Sequence, residues 1–533
     1  MIHLIMGEIK LSPQQTNVLD FTSKSGNGNG LITAVAGSGK TFTLLQSVAC
    51  MEGQVAICAF NTAIAHELEE KVKKIQNLVA RVSVGTCHRF GRQPLMKKFP
   101  KTKLPDKGQP SKIEILMQEV VNSKTKQKGV PEELQGFVRK AYTLARQWGV
   151  GIVSDFPFNS REAWLDLVDH FDLRDEFANE DGDYPLDVEH LVSEGCNWTV
   201  RVIRYGLERC KDIIDFEDMI YATLALNLRV WQYNWILIDE CQDINPTRRA
   251  LIKKMLAPGG RTLFVGDPHQ AIYGFTGADA KSFENIRKEF GCKDLDLTWS
   301  FRCAKAIVTF VQQWVSHIQS APDAPEGKVL YTDSVKMWDM NIGIDDGILC
   351  RNNAPLVDLF FQFLKKGIPV HIEGKDIGSK LIQLTKRWPA IRSLSALEGK
   401  LLAYKERQIQ KGLQSGKEQK AAEIADSVDA IVAVIAGIPV GSSVEDLRKR
   451  ILDMFEDSSG NKVKSLTLTT IHKSKGREWQ RIFWYGKNRW NPSGYARQDW
   501  QILQEVNLQY VAGTRAKNTL VIVDVPIPTK TWK

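Results

Sequence analysis

No apolar run in this sequence approaches the roughly 20 residues that cross a bilayer, and no CxxC pair occurs among its cysteines. The first absence argues against a membrane-spanning protein. The second, with nine cysteines scattered from Cys50 to Cys350, argues against a disulfide framework and against a zinc or iron–sulfur site. A reducing, cytoplasmic setting is the expectation. The opening stretch from Met1 to Glu8 is too short, and too soon charged, for a secretory leader. Excess charge of one sign is also scarce. The 71 basic and 62 acidic residues leave a net +9, which permits a polyanionic partner without requiring one. No internal repeat is evident.

What is present begins with length: 533 residues exceed a single core and should divide into about three or four domains. The most informative stretch runs from Leu31 to Thr41. An apolar strand breaks into Ala34-Val35-Ala36-Gly37-Ser38-Gly39-Lys40-Thr41, and Phe42-Thr43-Leu44-Leu45 then opens a helix. Strand, small-residue loop and helix N-terminus make a phosphate cradle, in which backbone amides of Ala36, Gly37, Ser38 and Gly39, the helix dipole and the Lys40 charge face the anion. Ala34 stands where the common GxxxxGK[ST] form has its first glycine, while the glycines nearest the phosphates are kept.

Further strands are expected at Val55–Phe60, Val82–His88, Trp235–Glu240 and Arg261–Asp267, with a helix from about Thr62 to Lys74. A second α/β unit is expected after Cys292, with strands at 347–350, 369–372, 465–468, 481–485 and 520–523. Alternating strands and helices imply parallel sheets covered on both faces. Two helical stretches interrupt them, at 91–211 and 375–460; the charged run Lys405 to Lys420 in the second reads as a solvated helix face.

An apolar strand that ends in Asp239-Glu240 places two carboxylates at the sheet's carboxyl edge, beside the loop. Asp239 would hold Mg²⁺ jointly with Thr41, and Glu240 would orient and deprotonate an attacking water. In Gly266-Asp267-Pro268-His269-Gln270, Gln270 is placed to sense a γ-phosphate, and Tyr273 and Phe275 beyond it suit stacking platforms.

These motifs, in this order from Gln15 to Lys517, resemble the superfamily 1A DNA helicases of the UvrD/Rep/PcrA-like group. The wording Gly-Asp-Pro-His-Gln and Leu-Thr-x-Ser-Phe-Arg is also similar to the F-box DNA helicase branch. The resemblance implies an α/β fold with two RecA-like parallel-sheet P-loop motor domains, each carrying a mainly helical insertion. Their expected extents are 1–90 with 212–290 and insertion 91–211, then 291–374 with 461–533 and insertion 375–460. It implies ATP and Mg²⁺ as cofactors, with Gln15 reading adenine, Phe301 stacking on it, Arg302 contacting the γ-phosphate, Glu478 near the ribose and Arg515 as a second arginine finger. Arginines that meet the phosphates only on closure would couple hydrolysis to a motor stroke.

DNA contacts implied by the same resemblance are Phe60, Thr62, Thr86, His88, Tyr273, Phe275, Arg351, Asn352 and His472. Such a set suits a single-strand track, where each stacked base is worth about 1–3 kcal/mol almost regardless of sequence. The expected activity is 3′ to 5′ translocation on single-stranded DNA with unwinding at single-strand/duplex junctions, alongside a replication or recombination partner protein. Several positions depart from the group: the lysine usual near Ala63 is absent, Phe275-Thr276-Gly277 stands for Trp-Arg-Gly, and Ser300 replaces an asparagine. The second insertion is short for the group, and the chain ends soon after the last motif. Two rivals stay open: a translocase that mainly strips bound proteins such as recombinase filaments, and a catalytically silent DNA-binding scaffold. A signalling GTPase would need an Asn/Thr-Lys-x-Asp motif, which is lacking.

Overall fold

The computed structural model describes residues 11–527 apart from 24–25, 75–80, 107–108, 123–124, 155, 179–183, 273–280, 416–417, 457–463, 495 and 497–498. The chain forms two compact units, one of residues 1–34 with 39–297 and one of 35–38 with 298–533.

In the first unit, among the described residues, six strands make one parallel sheet. They are β1 (Asn29–Ala34), β2 (Val55–Ala59), β3 (Val82–Thr86), β4 (Tyr233–Ile238), β5 (Leu256–Gly266) and β6 (Cys292–Leu297), in the order β3-β2-β4-β5-β1-β6. Successive strand residues point to opposite faces, so a strand buried on both sides must be apolar at every position. Ile32, Ile57, Leu237 and Val265 accordingly enter the core on one face. Their sequence neighbours Leu31, Ala56, Ile236 and Phe264 enter the core on the other.

The expected start of the second unit at 291 is corrected by β6. That strand pairs with β1 from Asn29 opposite Cys292 to Ala34 opposite Leu297, so the first sheet runs on to Leu297. As an edge strand carrying Lys293, Asp294 and Asp296, it lacks the continuous apolar run that marks a central strand. The expected boundary at 91 likewise falls inside a helix, Cys87–Lys98, which Thr86 caps by accepting the Arg89 N–H at 3.2 Å. The first insertion has its own aromatic core around Phe137, Trp164 and Trp198, built from the helices Lys112–Glu119, Glu132–Trp148, Arg161–His170 and Val188–Glu208. Buried charges tie two of these helices to Asp218–Ala225: Lys112 Nζ lies 2.6 Å from Asp218, and Arg146 lies 3.0 Å from Asp218 and 2.8 Å from Asp215.

In the second unit, β7 (Trp299–Ser300) and β8 (Gln319–Ser320) form a short pair. The main parallel sheet contains β9 (Lys328–Asp333), β10 (Gly347–Cys350), β11 (Val370–Glu373), β12 (Phe455–Glu456), β13 (Leu466–Thr470), β14 (Trp479–Tyr485) and β15 (Ala516–Asp524), in the order β12-β11-β13-β10-β14-β15-β9. The edge strands β9 and β12 were not expected. One is largely exposed and the other is two residues long, so neither leaves a hydrophobic signature. Among the described residues, the second insertion shares its core with the sheet. Leu381, Leu401, Ile431 and Ile451 from its helices pack in one cluster with Ile348, Phe363 and Leu468 of the sheet layer. Its charged run is correspondingly less solvated than expected at one point: Lys405, on Leu394–Ser415, pairs with Asp429 of Glu418–Gly437 at 2.6 Å.

Candidate functional site

In the first unit the carboxyl ends of β1, β4 and β5 collect residues that are far apart in sequence. Gly39 takes the left-handed conformation (φ +76°) that turns the loop into the helix Lys40–Cys50. Ala34 needs no such freedom, because it is the last residue of β1 and extended, which is why alanine replaces the usual glycine without strain.

Lys40 Nζ lies 3.3 Å from Glu240 Oε1, and both side chains are mostly buried. Burial alone would lower the Lys40 pKa, but the carboxylates of Glu240, Asp267 and Asp239 outweigh it and hold the ammonium above its ordinary value. Thr41 Oγ1 donates to Asp239 Oδ2 at 3.4 Å, and the Glu240 N–H donates to Asp239 Oδ1 at 2.9 Å. Burial, reinforced by the adjacent Glu240, pushes Asp239 up to about 6. A carboxylate and a hydroxyl oxygen side by side, both hard donors, fit a Mg²⁺ that keeps most of its ligands from water and phosphate.

Glu240 holds the left-handed conformation, φ +53° and ψ +46°, in a non-glycine residue. Gln242 donates from its amide to Glu240 Oε2 and accepts the Asp267 N–H at 3.1 Å, so one side chain joins the ends of β4 and β5. Gln270 donates to Asp267 Oδ2 at 2.7 Å. Gln15 closes a capping box with Ser12 and donates to Thr43 Oγ1 at 3.2 Å, which fixes its amide over the start of the phosphate-loop helix. Gln242 and Asp267 were missed as site residues in the sequence; Asp267 directly follows β5, and Gln242 lies four residues past the end of β4.

The second unit holds the remaining residues expected to contact a nucleotide. It includes loop residues 35–38, where the Ala36 N–H donates to the Tyr510 hydroxyl at 2.8 Å and the Gly37 carbonyl accepts the Phe301 N–H at 2.9 Å. Gly37 is required there on two counts. Its φ is +73°, and a Cβ would lie 2.4 Å from Arg302 Cβ. Ser38 is buried, and its hydroxyl has no partner among the described residues.

Phe301 is 48% exposed, unusual for a phenylalanine in an ordered turn, and available for stacking. Arg302 Nε lies 2.6 Å from Glu478 Oε2, and Lys517 lies 2.5 Å from Glu478 Oε1. Burial opposes ionisation of Glu478, but the Lys517 and Arg302 contacts win and hold its carboxyl below the usual value. Arg515 is buried and donates to the carbonyls of Val511 (3.1 Å) and Arg477 (3.3 Å), which hold the guanidinium in one orientation.

The expected nucleic-acid contacts divide. In the first unit Phe60 and Thr62 are exposed after β2. Thr86 spends its hydroxyl as a helix cap, and His88 leaves Nε2 without a hydrogen-bond partner among the described residues. In the second unit Asn352 is half-buried, whereas Arg351 donates from Nε (3.0 Å) and Nη2 (2.7 Å) to Glu505 Oε1, with Nε also 3.3 Å from Oε2. His472 is partly buried; desolvation, then the charges of Arg351 and Lys473, hold its pKa well below the ordinary 6.5. Tyr273 and Phe275 lie outside the described residues. Glu505 was invisible in the sequence, because one acid in an amphipathic segment reads as a solvated face.

A family model described as the UvrD/REP helicase N-terminal domain matches residues 11–291, and one described as the UvrD-like helicase C-terminal domain matches 382–525. The chain is 26% identical over 318 residues to F-box DNA helicase protein 1 of Schizosaccharomyces pombe, covering 55% of this chain and 34% of that protein. It is 24% identical over 326 residues to DNA helicase II of Haemophilus influenzae, covering 58% and 41%. To DNA helicase IV of Escherichia coli it is 26% identical over 323 residues, covering 54% and 46%. The matched stretch thus spans a third to a half of these relatives' lengths.

Proposed function

Because the chain belongs to the UvrD/REP helicase family, we propose that it hydrolyses ATP with Mg²⁺ and uses the turnover to move 3′ to 5′ along single-stranded DNA, separating duplex at junctions. The observation that carries this reading is the convergence of Lys40, Thr41, Asp239, Glu240 and Gln270 at one sheet edge, with Glu240 3.3 Å from the phosphate-loop lysine. The DNA track is supported by the relatives, which are named as DNA helicases.

In this reading Lys40 and the loop amides hold the β- and γ-phosphates. Thr41 and Asp239 hold Mg²⁺, which when bound disperses the charge on the phosphate oxygens. Glu240 orients water in line with the γ-phosphorus and accepts its proton. Gln270 reports the γ-phosphate, and Arg302 and Arg515 counter the charge of the transition state. Gln15 and Phe301 select and stack the base, and Glu478 adjoins the ribose. Phe60, Thr62, Thr86, His88, Tyr273, Phe275, Arg351, Asn352 and His472 are the residues that would contact the strand.

The test compares unwinding of 3′-tailed and 5′-tailed duplexes by the chain and by Lys40→Ala. Expected is ATP-dependent separation of the 3′-tailed substrate, lost in the variant. Protein displacement without strand separation would favour a stripping translocase, and DNA binding without any ATP turnover a silent scaffold.

A further inference from the structure

The buried Arg515 takes part of its orientation from the main chain of a turn, and a carboxylate with no part in the reaction described above anchors that turn. Residues 471–478 connect β13 to β14. The turn is open at its tip: Gly476 is exposed and left-handed at φ +86°, and a Cβ there would meet nothing within 4 Å. Its next residue, Arg477, donates its N–H to the Ser474 carbonyl at 3.0 Å and reaches Glu373 Oε1 with Nη2 at 2.6 Å. Glu373 is the last residue of β11, so the turn is tied to a strand other than the two it connects.

The pair is partly shielded from water. The Glu373 side chain is 7% exposed and that of Arg477 35%, so the contact holds more firmly than a pair on the surface. A second side chain confines the carboxylate. His371 lies two residues earlier on β11 and therefore on the same face, with Nε2 3.6 Å from Glu373 Oε2 and Nδ1 sharing a 2.9 Å hydrogen bond with Ser465 Oγ.

We propose that Glu373 is a positioning residue for Arg515, holding the Arg477 carbonyl where it orients the guanidinium. One residue carries both halves of the link: the Arg477 side chain meets Glu373, and its carbonyl accepts from Arg515 Nη1 at 3.3 Å. The Arg515 Nε donates to Val511 at 3.1 Å and Nη2 to Thr514 Oγ1 at 3.2 Å, both close by in sequence. The Arg477 carbonyl ties the guanidinium to a different segment. Main chain completes the frame, since the Trp479 N–H donates to the Arg515 carbonyl at 3.0 Å. The inference rests on the proposed role of Arg515 opposite the transferring phosphate. A cation that serves the transition state must be in place before charge develops, and a misplacement of 1 Å costs about 10²-fold. Release of the turn from Glu373 therefore falls on the rate of hydrolysis rather than on nucleotide affinity.

The test measures, on the full chain, ATP turnover, the affinity of a fluorescent ATP analogue, and hydrogen exchange of the 471–480 peptide by mass spectrometry. Expected for Glu373→Gln and Arg477→Met are a fall in kcat of about 10–100-fold, affinity within about twofold of the parent, and faster exchange in that peptide. Arg477→Lys, whose ammonium still meets the carboxylate, should keep most of the turnover. In an Arg515→Ala background the same substitutions should cost nothing further, because the group they serve is gone. Losses that multiply in that background overturn the positioning role and make the pair a general support of the sheet. Unchanged turnover in Glu373→Gln and Arg477→Met overturns it as well. A parent chain without ATP turnover overturns the proposed function instead, and hydrogen exchange then decides the anchor: unaltered exchange in Glu373→Gln removes it.

Discussion

Glu240 holds a backbone conformation that costs a non-glycine residue of order 1–3 kcal/mol, and its carboxylate is fixed between Lys40 and Gln242. The strained conformation sets the carboxylate beside Lys40, the position that the proposed proton acceptor needs. Glu240→Gln keeps the shape and the Gln242 neighbour but removes the base. ATP should still bind, measured with a fluorescent analogue, while turnover falls by about 10²–10⁴. A variant that cannot bind nucleotide would show instead that the carboxylate serves the loop. His472 makes a prediction of different sign. Its imidazole is held neutral in the folded chain well below pH 6.5, whereas the unfolded chain gains a proton near that pH. Unfolding therefore takes up a proton below 6.5, and stability falls as pH falls, by at most about 1.4 kcal/mol per pH unit from this group. Denaturant titrations at pH 7.5 and 5.5 should show a smaller loss in His472→Gln than in the unsubstituted chain. Equal losses would mean that the ring is charged in the fold.

Elements differ in how far the sequence exposed them, for reasons visible in particular strands. β2, β4 from Trp235 to Ile238 and the apolar part of β5 are central, buried on both faces and apolar throughout, and they were legible. β6, β9 and β12 are edges with one face or more in solvent, and their polar residues hid them. That Lys40, Thr41, Asp239 and Glu240 come together was legible, because the sequence sets them at or just past strand ends in fixed spacing. Glu505, Gln242 and Lys517 were not, since each acts through a partner brought in by the fold. The same holds for Lys112, Arg146 and Asp218, which look like ordinary helix charges yet are each almost fully buried. Asp218 contacts both cations, whereas the Asp215 ion pair is with Arg146. Asp218→Ala should therefore strand Lys112 in the interior and cost about 3–5 kcal/mol in chemical denaturation. Replacing Lys112 and Asp218 together by apolar residues of similar volume should recover most of it. A single variant within about 0.5 kcal/mol of the parent would show that water reaches the cluster.

At the scale of the whole molecule, a net charge of +9 over 533 residues is too dilute to bind a polyanion by itself. The acids of the proposed nucleotide site are internal, and several basic residues of the second unit are paired: Arg351 with Glu505, and Arg302 and Lys517 with Glu478. Affinity for single strands should then come more from stacking on residues such as the exposed Phe60 than from phosphate neutralisation. The two sources separate in a salt titration, because counterion release lowers log K by about 0.7 per phosphate for each tenfold rise in salt, while stacking is nearly salt-blind. With about three to five phosphates neutralised, the slope of log K against log[salt] should lie between roughly −2 and −3.5. Oligo-dT and mixed-sequence strands should bind within about tenfold of one another, as stacking tolerates every base. Fluorescence anisotropy of labelled oligonucleotides across a salt series measures both. A slope steeper than about −6 would mean that a basic surface dominates, and the aromatic track would lose its role as the main source of grip.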